Sequence, residues 1–415
     1  MAPDVRSLLQ REDSAMRTIC VSICLLVALF FGTIVAAGDE FPLEYRVSGQ
    51  SGMPGVSITP KKAVRVEQLP DGVSLPPDAG VAPVFAKWQT PLAKEGFVYL
   101  AVAKTAGREL DDRVFVDTDC DGDLADESPV EPAHRGSFGP VEVLFPGQGG
   151  PIRYHVIVKV ERGHFSGRGP ARTYTDLLVE SACWYEGKVQ VAGKGYECAL
   201  VDYNSNGTFD DTSMSLGEAD RIRIGGSDTE AKVLGRYIHI DGTLYRPRAA
   251  RDGTSIRFEA AEGVPTGTIT VSDKISMLSI AGENGQLDFE VREGLAQAPV
   301  GKWVIHGWET RRKDADGVEW QLSGGDVTES SAFEVAEGKT AHIDIGEPVT
   351  STMSMSQSGP VDDPGRWWRF EETSKGRSGE AGGRILRGGK WAPAPKLRIR
   401  NADGSYDETI QFQYG

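Results

Sequence analysis

Two short acidic stretches contain the residues of this 415-residue sequence whose types and spacing could do chemistry. The first runs from Asp117 to Glu127 and reads DTDCDGDLADE, which places six carboxylates in eleven residues. Acids at positions 1, 3 and 5 can converge on one point when a glycine at position 6 permits a sharp turn, and position 7 then supplies a backbone carbonyl. Without a cation, carboxylates held this close would repel one another.

A second stretch of the same pattern begins 85 residues later, at Asp202, and reads DYNSNGTFDD through Asp211. Acid or amide oxygens again occupy positions 1, 3 and 5, a glycine occupies position 6, and an acid pair follows. Position 8 is apolar in both stretches, Leu124 in the first and Phe209 in the second, and we expect these side chains to plug the loops into a core. Since each stretch directly follows an apolar strand-like run, the pattern predicts an internal duplication of strand plus loop.

The two stretches resemble the calcium-binding loops of EF-hand, dockerin and thrombospondin type 3 proteins, over about a dozen residues each. The resemblance implies as ligands Asp117, Asp119, Asp121 and the Asp123 carbonyl in the first loop, and Asp202, Asn204, Asn206 and the Thr208 carbonyl in the second. The sequence departs from the EF-hand at position 12, where a serine replaces the bidentate glutamate in both loops. Other acids must then close the shells: Asp126 or Glu127 in the first loop, and Asp210 or Asp211 in the second.

The donor set favours calcium. Hard oxygen donors without histidine or cysteine ligand patterns favour Ca²⁺ over transition metals, and several chain oxygens favour it over Mg²⁺, which keeps its waters. The flanking helices of an EF-hand are missing from the pattern, so a static loop on a β scaffold is predicted. The alternative interpretation is a pair of solvated, Asx-rich hairpin turns without metal.

The mature chain also resembles uncharacterised secreted bacterial proteins that carry a strand followed by a DxDxDGDLxDE loop and, later, a DxNxNGxFDD loop. These share a closing hairpin that begins with Pro-Lys-Leu and ends in Tyr-Gly, here Pro395–Leu397 and Tyr414–Gly415. The resemblance implies no function.

The elements that must position these loops are strands. Gly makes up 50 residues, and Asp-Gly or Asn-Gly dipeptides, which supply the positive φ of tight hairpins, recur along the chain. Apolar or alternating runs such as Phe97–Val102 and Ile152–Val160 lie between them, without long helical periodicity. The pattern predicts an all-β fold of two β-sandwich or barrel-like domains, the C-terminal one immunoglobulin- or transthyretin-like.

Composition shifts predict the domain boundaries. Residues 1–37 are interpreted as a signal peptide and residues 38–80 as a Pro/Gly-rich lead-in with few strands. A β domain carrying both acidic loops is expected over 81–260, and a β-sandwich domain over 261–415. Within the latter, residues 351–395 are rich in Ser, Gly and Arg and are expected to be a mobile insertion, after which the closing hairpin completes the sandwich.

The amino terminus determines the predicted location. Residues 18–37 carry no charge, follow Arg17 and end in Val-Ala-Ala, the composition of a secretory signal peptide, with an uncleaved membrane anchor as the alternative. We therefore expect a secreted, periplasmic or cell-surface protein without membrane insertion after cleavage. In an oxidising compartment Cys183 and Cys198 could form a disulfide, or both could remain buried thiols.

Several functional classes are excluded or left open. A net charge of −15 excludes a nucleic-acid binder, since no basic surplus is available to neutralise phosphates. No catalytic motif is present among the scattered histidines, so no catalytic residue is predicted, although a hydrolase with a carboxylate pair in a concave site stays open. Trp303, Trp308 and Trp320 are expected in the sandwich core. Trp367 and Trp368 are either buried or form an aromatic platform for sugar rings or a partner.

Together these observations predict a secreted, non-enzymatic β protein with two structural calcium loops, which acts as a cell-surface or extracellular binding or structural protein. The alternatives are a carbohydrate-binding module and a carboxylate-pair hydrolase. The sequence does not identify the partner. A polysaccharide or a cell-surface protein would be consistent with these hypotheses.

Overall fold

Strands and turns make up the described part of the chain, which contains no helix. The computed structural model describes residues 39–70, 72–134, 136–165, 172–325, 332–358 and 367–413. The predicted signal peptide at 1–37 lies outside these residues. The all-β prediction is confirmed. No helix in the described part of the chain is long and apolar enough to cross a membrane.

Eighteen strands build the first group of sheets. They are β1 (Glu40–Pro42), β2 (Glu44–Val47), β3 (Lys61–Lys62), β4 (Val64–Val66), β5 (Val81–Gln89), β6 (Phe97–Lys104), β7 (Arg113–Val116), β8 (Pro132–His134), β9 (Ser137–Phe145), β10 (Ile152–Phe165), β11 (Arg172–Ser181), β12 (Cys183–Val191), β13 (Lys194–Val201), β14 (Arg221–Ile224), β15 (Lys232–Val233), β16 (Ile238–Ile240), β17 (Thr243–Ala249) and β18 (Ser255–Ala260).

These strands form four sheets around a shared apolar core. The orders are β4-β5-β6-β7, β3-β11-β10-β9-β8, β2-β12-β13-β14-β15 and β1-β18-β17-β16. Alternating residues of the strands bury one face, and the largest buried side chains include Trp88, Phe138 and Tyr154. The two acidic loops follow β7 and β13, so each begins where a buried strand leaves its sheet.

The described part of the segment 38–80 contains four short strands, although a lead-in with few strands was expected. Its four short strands each join a sheet: β1 pairs with β18, β2 with β12, β3 with β11 and β4 with β5. Each is only two to four residues long, which is too short for an alternating pattern to show in the sequence. The backbone groups of β1, β2 and β3 satisfy strands that come much later in the chain, whereas β4 pairs with the next strand, β5.

The remaining strands are β19 (Thr266–Thr270), β20 (Met277–Ala281), β21 (Leu287–Glu290), β22 (Leu295–Pro299), β23 (Gly301–Lys313), β24 (Glu319–Gly325), β25 (Phe333–Val335), β26 (Thr340–His342), β27 (Thr350–Ser358), β28 (Trp367–Lys375), β29 (Ala381–Arg387), β30 (Lys390–Trp391), β31 (Lys396–Arg400) and β32 (Asp407–Gln411). The main sheet has the order β21-β20-β23-β24-β29-β28-β27, and β22-β19-β26 form a second sheet. A separate apolar cluster fills the space between them. The finer expectation of an immunoglobulin- or transthyretin-like topology stays a prediction.

Tryptophan placement agrees with the sequence only in part. Trp303 and Trp308 are buried in the second core, as expected. Trp320 is only half-buried, because its indole N–H donates to Asp314 at the surface (3.0 Å). Trp367 and Trp368 are exposed, so the alternative in which these two side chains are buried is wrong.

The region 351–395 is built of strands in its described part, β27 to β30, rather than of irregular loop. Its Ser- and Gly-rich composition concealed them, since polar strands exposed on both faces lack the apolar alternation that identifies a strand. The closing hairpin β31–β32 forms as predicted. It pairs only with itself and is exposed, so it does not extend the sandwich sheets as expected.

Cys183 and Cys198 are free and buried, which is the second of the two alternatives for this pair. The β12–β13 hairpin sets Cys198 opposite Gly187, and Cys183 lies opposite Val47 of β2. This register offsets the two cysteines by four residues along the ladder and prevents a disulfide.

Candidate metal centre

The two acidic loops have the same backbone conformation. Position 4 is left-handed in both, with φ of 59° at Cys120 and 55° at Ser205. Position 6 is left-handed as well, with φ of 92° at Gly122 and 97° at Gly207. A glycine adopts this region without the steric cost that a Cβ imposes, which explains the glycine at position 6 of both sequences.

Four hydrogen bonds of the first loop recur in the second with an offset of 85 residues. Asp117 accepts from the backbone N–H of Asp121 (3.1 Å) and of Gly122 (3.2 Å). Asp119 also accepts from Asp121 N–H (3.2 Å), and Asp121 accepts from Asp123 N–H (2.8 Å).

In the second loop, Asp202 accepts from the N–H groups of Asn206 (3.3 Å) and Gly207 (2.6 Å). Asn204 accepts from Asn206 N–H (3.1 Å), and Asn206 accepts from Thr208 N–H (2.8 Å). The predicted repetition of the loop is therefore present in its hydrogen bonds.

Both position-8 side chains plug their loops into apolar cores, as predicted. Leu124 is 0% exposed and packs with Tyr99 and Phe115. Phe209 is 2% exposed and contacts the rings of Tyr154 and Tyr185 edge-on, with a centroid separation of 5.0 Å to Tyr185. These contacts fix the far end of each loop against a sheet.

The first loop brings its carboxylates together in two overlapping groups. Asp117, Asp119 and Glu127 form one group, and Asp119, Asp121 and Asp126 form the other. Within each group, one oxygen from every residue lies within 4.8 Å of the others. Five of the six predicted residues are thus brought together, and such an arrangement could hold a metal ion.

Asp123 is the sixth predicted residue, and its side chain points elsewhere. It accepts from the backbone N–H of Ser74 (2.7 Å) and of Leu124 (2.8 Å), which lower the pKa of its carboxyl group. The expectation that Asp123 contributes its carbonyl oxygen stays a prediction.

Burial and mutual repulsion perturb the acids of this loop. Burial, followed by the charges of Asp121 and Asp119, raises the pKa of Asp117 to about 6. Burial also raises the pKa of Glu127, although Thr118 donates to it through both its N–H and its hydroxyl group. The carboxylates therefore face one another without a cationic side chain among the described contacts to offset their charge.

The second loop closes through hydrogen bonds instead. The carboxylate of Asp211 accepts from the side-chain amides of Asn204 (3.1 Å) and Asn206 (2.6 Å) and from the hydroxyl of Thr208 (2.9 Å). Of the predicted closing pair, Asp211 thus lies inside the loop. Asp210 instead lines a polar cavity of about 340 Å³ with Arg236 and Arg248.

The closing contacts of the two loops occupy corresponding positions. The offset of 85 residues relates Asn204, Asn206 and Asp211 to the carboxylates of Asp119, Asp121 and Asp126. An amide group can donate to a carboxylate, whereas a carboxylate can only accept. In the second loop two amides donate to the closing carboxylate. The first loop has carboxylates at these positions, so a cation, or protons, must hold them against Asp126.

Asp220 is a member of the second loop that the sequence did not reveal. It is fully buried and accepts from the backbone N–H of Tyr203 (3.1 Å) and of Asp211 (2.8 Å). Asp202 is equally buried, and the hydroxyl of Tyr154 donates to it (2.5 Å). Burial, together with neighbouring carboxylates, raises the pKa of both acids. No motif links Asp220 to the loop, because the contact depends on the return of the chain into β14.

A cleft away from the loops is lined by three acids, Asp111, Asp112 and Glu161, and two of them, Asp111 and Asp112, are paired with arginines. Arg162 holds Asp111 through two hydrogen bonds (2.7 and 2.5 Å) beside a cleft of about 640 Å³. Arg108 lies 3.2 Å from Asp112 in the same cleft. Against the effect of burial, Thr105 and Arg108 lower the pKa of Asp112, which is opposite to the shift that a general acid needs.

No protein family, curated protein or solved structure matches the chain.

Proposed function

We propose that this chain is an exported, non-enzymatic β protein whose first acidic loop binds Ca²⁺ and so fixes the ends of its strands outside the cell. The observation that carries the proposal is the meeting of Asp119, Asp121 and Asp126 within 4.8 Å, where the second loop has two amides and one acid. A divalent cation would replace the repulsion of these carboxylates with attraction.

The donors support calcium over other metals. All side chains that converge in the first loop are carboxylates, which hard cations prefer. Cys120 lies within the loop, but burial, followed by the surrounding carboxylates, raises the pKa of its thiol to about 12. A thiol that stays protonated at neutral pH is a poor ligand for Zn²⁺ or Cu⁺, which require the thiolate.

The fold supports a structural role for the proposed ion. The loop joins β7 at one end and the buried Leu124 at the other, and Leu144 of β9 donates to the carbonyl of Thr118 within it (2.7 Å). An ion bound here would tie two sheets of the first core together. Extracellular calcium, typically near millimolar, would saturate even a weak site of this kind.

Calcium binding by the second loop stays a prediction. Its amides already satisfy Asp211, and its buried acid Asp202 accepts from Tyr154. An ion would have to break these hydrogen bonds, so we expect the second loop to bind Ca²⁺ more weakly than the first.

The test combines calorimetric titration of the chelator-treated mature chain with thermal melting in calcium and in chelator. We expect one site to dominate the titration and calcium to raise the melting temperature. Asp126→Asn should weaken binding by at least about tenfold, since it removes one of the clustered charges. Asp123→Asn is the matched control and should leave binding intact, since that side chain bonds to Ser74 outside the cluster. A melting temperature that does not respond to calcium would refute the proposal.

The carbohydrate-binding alternative stays a prediction and is not strengthened by the geometry. Trp367 and Trp368 are 55% and 46% exposed, as a binding platform requires. They are successive residues of β28, however, and successive strand residues point to opposite faces. The two indoles therefore do not form one flat surface for a sugar chain.

A further inference from the structure

Strands β27 and β28 form a two-stranded arm at the end of the main sheet. Their register runs from Thr350 opposite Lys375 to Ser358 opposite Trp367. The arm is joined to β29 at a single pair, Lys375 with Ala381. Among the described strands, the outer edge of β27 has no partner, and most of β28 has none on its other side.

The two edges of the arm differ in charge. The sequence of β28, WWRFEETSK, carries four charges: Arg369, Glu371, Glu372 and Lys375. The sequence of β27, TSTMSMSQS, carries no charge and no proline. Charged residues on an edge strand oppose pairing with another chain, whereas a long neutral edge permits it. Of the two edges of the arm, only the β27 edge is therefore open to a further strand.

The sequence of β27 is close to a palindrome about Ser354. Met353 and Met355 flank the centre, Thr352 matches Ser356 beyond them, and small or polar residues follow on both sides. Two antiparallel copies of a strand related by a two-fold axis meet in this way, each residue facing its mirror position. A second copy of β27 centred on Ser354 would set Met353 opposite Met355 of the other chain.

The same register extends an apolar surface across the arm. Met355 lies opposite Phe370, and Trp368 is two residues further along on the same face. Met353 and Met355 are 56% and 59% exposed, so the face is open to solvent. In a symmetric pair, Phe370 and Met355 of one copy would lie side by side with Met353 of the second copy across the sheet. The two-fold axis would place Phe370 and Met355 of the second copy beside Met353 of the first in the same way.

We propose that the β27 edge pairs with the β27 edge of a second copy of this chain, forming a closed two-fold dimer through a four-stranded sheet. Neutrality at the edge matters in a chain of net charge −15, since an acid at position 354 would face its own copy and an acid elsewhere on β27 would lie near the symmetry-related one. The charged outer edges of the two β28 strands then stop further growth. This inference does not depend on calcium binding.

The experiment is sedimentation velocity of the mature chain over a wide concentration range, with two opposite charges placed on the symmetry axis. Ser354→Lys and Ser354→Asp should each weaken dimerisation several-fold, because like charges then lie directly opposite each other. The loss should be larger for aspartate, because Glu371 lies opposite position 354 within each arm. An equal mixture of the two variants should restore the dimer, since lysine then faces aspartate. Thr373→Lys is the matched control: it adds the same charge on β28, one strand away from the edge, and should leave the dimer intact.

Restoration by the mixture separates edge pairing from damage to the arm, since a misfolded arm would not recover. A wild-type chain that stays monomeric at all concentrations would overturn the proposal. So would a dimer that both single variants retain, or a wild-type chain that forms open polymers instead of stopping at two copies.

Discussion

Replacing both Asp119 and Asp121 by asparagine should give the first loop the same hydrogen-bonding groups as the second. The variant would place amide groups where Asn204 and Asn206 stand in the second loop, with Asp126 in the place of Asp211. Since the two backbones match, the new amides should donate to Asp126. We expect the variant to be more stable than the wild type in chelator and to lose its response to calcium.

The magnitude follows from the geometry of the cluster. Two carboxylates 4.8 Å apart repel by about 0.9 kcal/mol in bulk water. The substitutions remove two of the three charges of the group of Asp119, Asp121 and Asp126 and hence every pairwise repulsion within that group, which amounts to about 1 kcal/mol after screening by salt at this exposed site. Two new hydrogen bonds to a carboxylate add about 1 kcal/mol more. A total near 2 kcal/mol corresponds to a rise of about 2–3 °C in the melting temperature of a unit of this size.

The assay is differential scanning calorimetry in chelator and in calcium. Wild-type protein should gain about 2.7 kcal/mol at a free calcium concentration of 100 times Kd, whereas the double variant should gain almost nothing. The reverse substitution in the second loop, Asn204→Asp with Asn206→Asp, is the matched control. It should destabilise the protein in chelator and create a response to calcium. If Asp119→Asn/Asp121→Asn melts below the wild type in chelator and still responds to calcium, the correspondence between the loops is wrong.

Two further predictions concern the same loops. Because burial raises the pKa of Asp117 to about 6, above its ordinary 3.8, its protonation favours the folded state in chelator. The stability of wild type relative to Asp117→Asn should therefore rise as the pH falls from about 7 to 4, measured by urea unfolding; a difference that does not vary with pH would contradict this. Leu124→Ala should lower the free energy of unfolding by about 2–5 kcal/mol and Phe209→Ala by about 3–5 kcal/mol, since both side chains are buried. A decrease below about 1 kcal/mol in either variant would show that this side chain does not hold its loop against the core.

The parts of the site that sequence could predict are those fixed by local geometry. The left-handed glycine at Gly122 and the plug at Leu124 follow from a spacing of a few residues, and both were found where expected. The contacts that close the second loop come from distant strands. Tyr154 reaches Asp202 from a strand 48 residues away in sequence, and Asp220 returns from the start of β14. No local pattern encodes such contacts.

The same limit explains the differences in the fold. Trp303 and Trp308 lie in the long strand β23, which packs into the second core, and they are buried as expected. The arm residues Trp367 and Trp368 are as apolar, yet they are exposed, and among the described residues their hairpin contributes to none of the apolar clusters. Hydrophobicity predicts a preference for burial, but the partner that provides it is decided by the topology of the whole chain.

The two loops show why aspartate and asparagine are not equivalent in a pattern of this kind. Both residues offer the oxygen that caps the next turn of backbone, so both preserve the loop conformation. They differ in the other terminal atom of the side chain, which is a second acceptor oxygen in Asp119 and an N–H donor in Asn204. With acids at positions 3 and 5 the loop needs a cation, or protons, to close on the later acid. With amides at those positions it closes on its own. If the first loop binds calcium as proposed, the number of amides at positions 3 and 5 determines how much of the loop's stability the ion supplies.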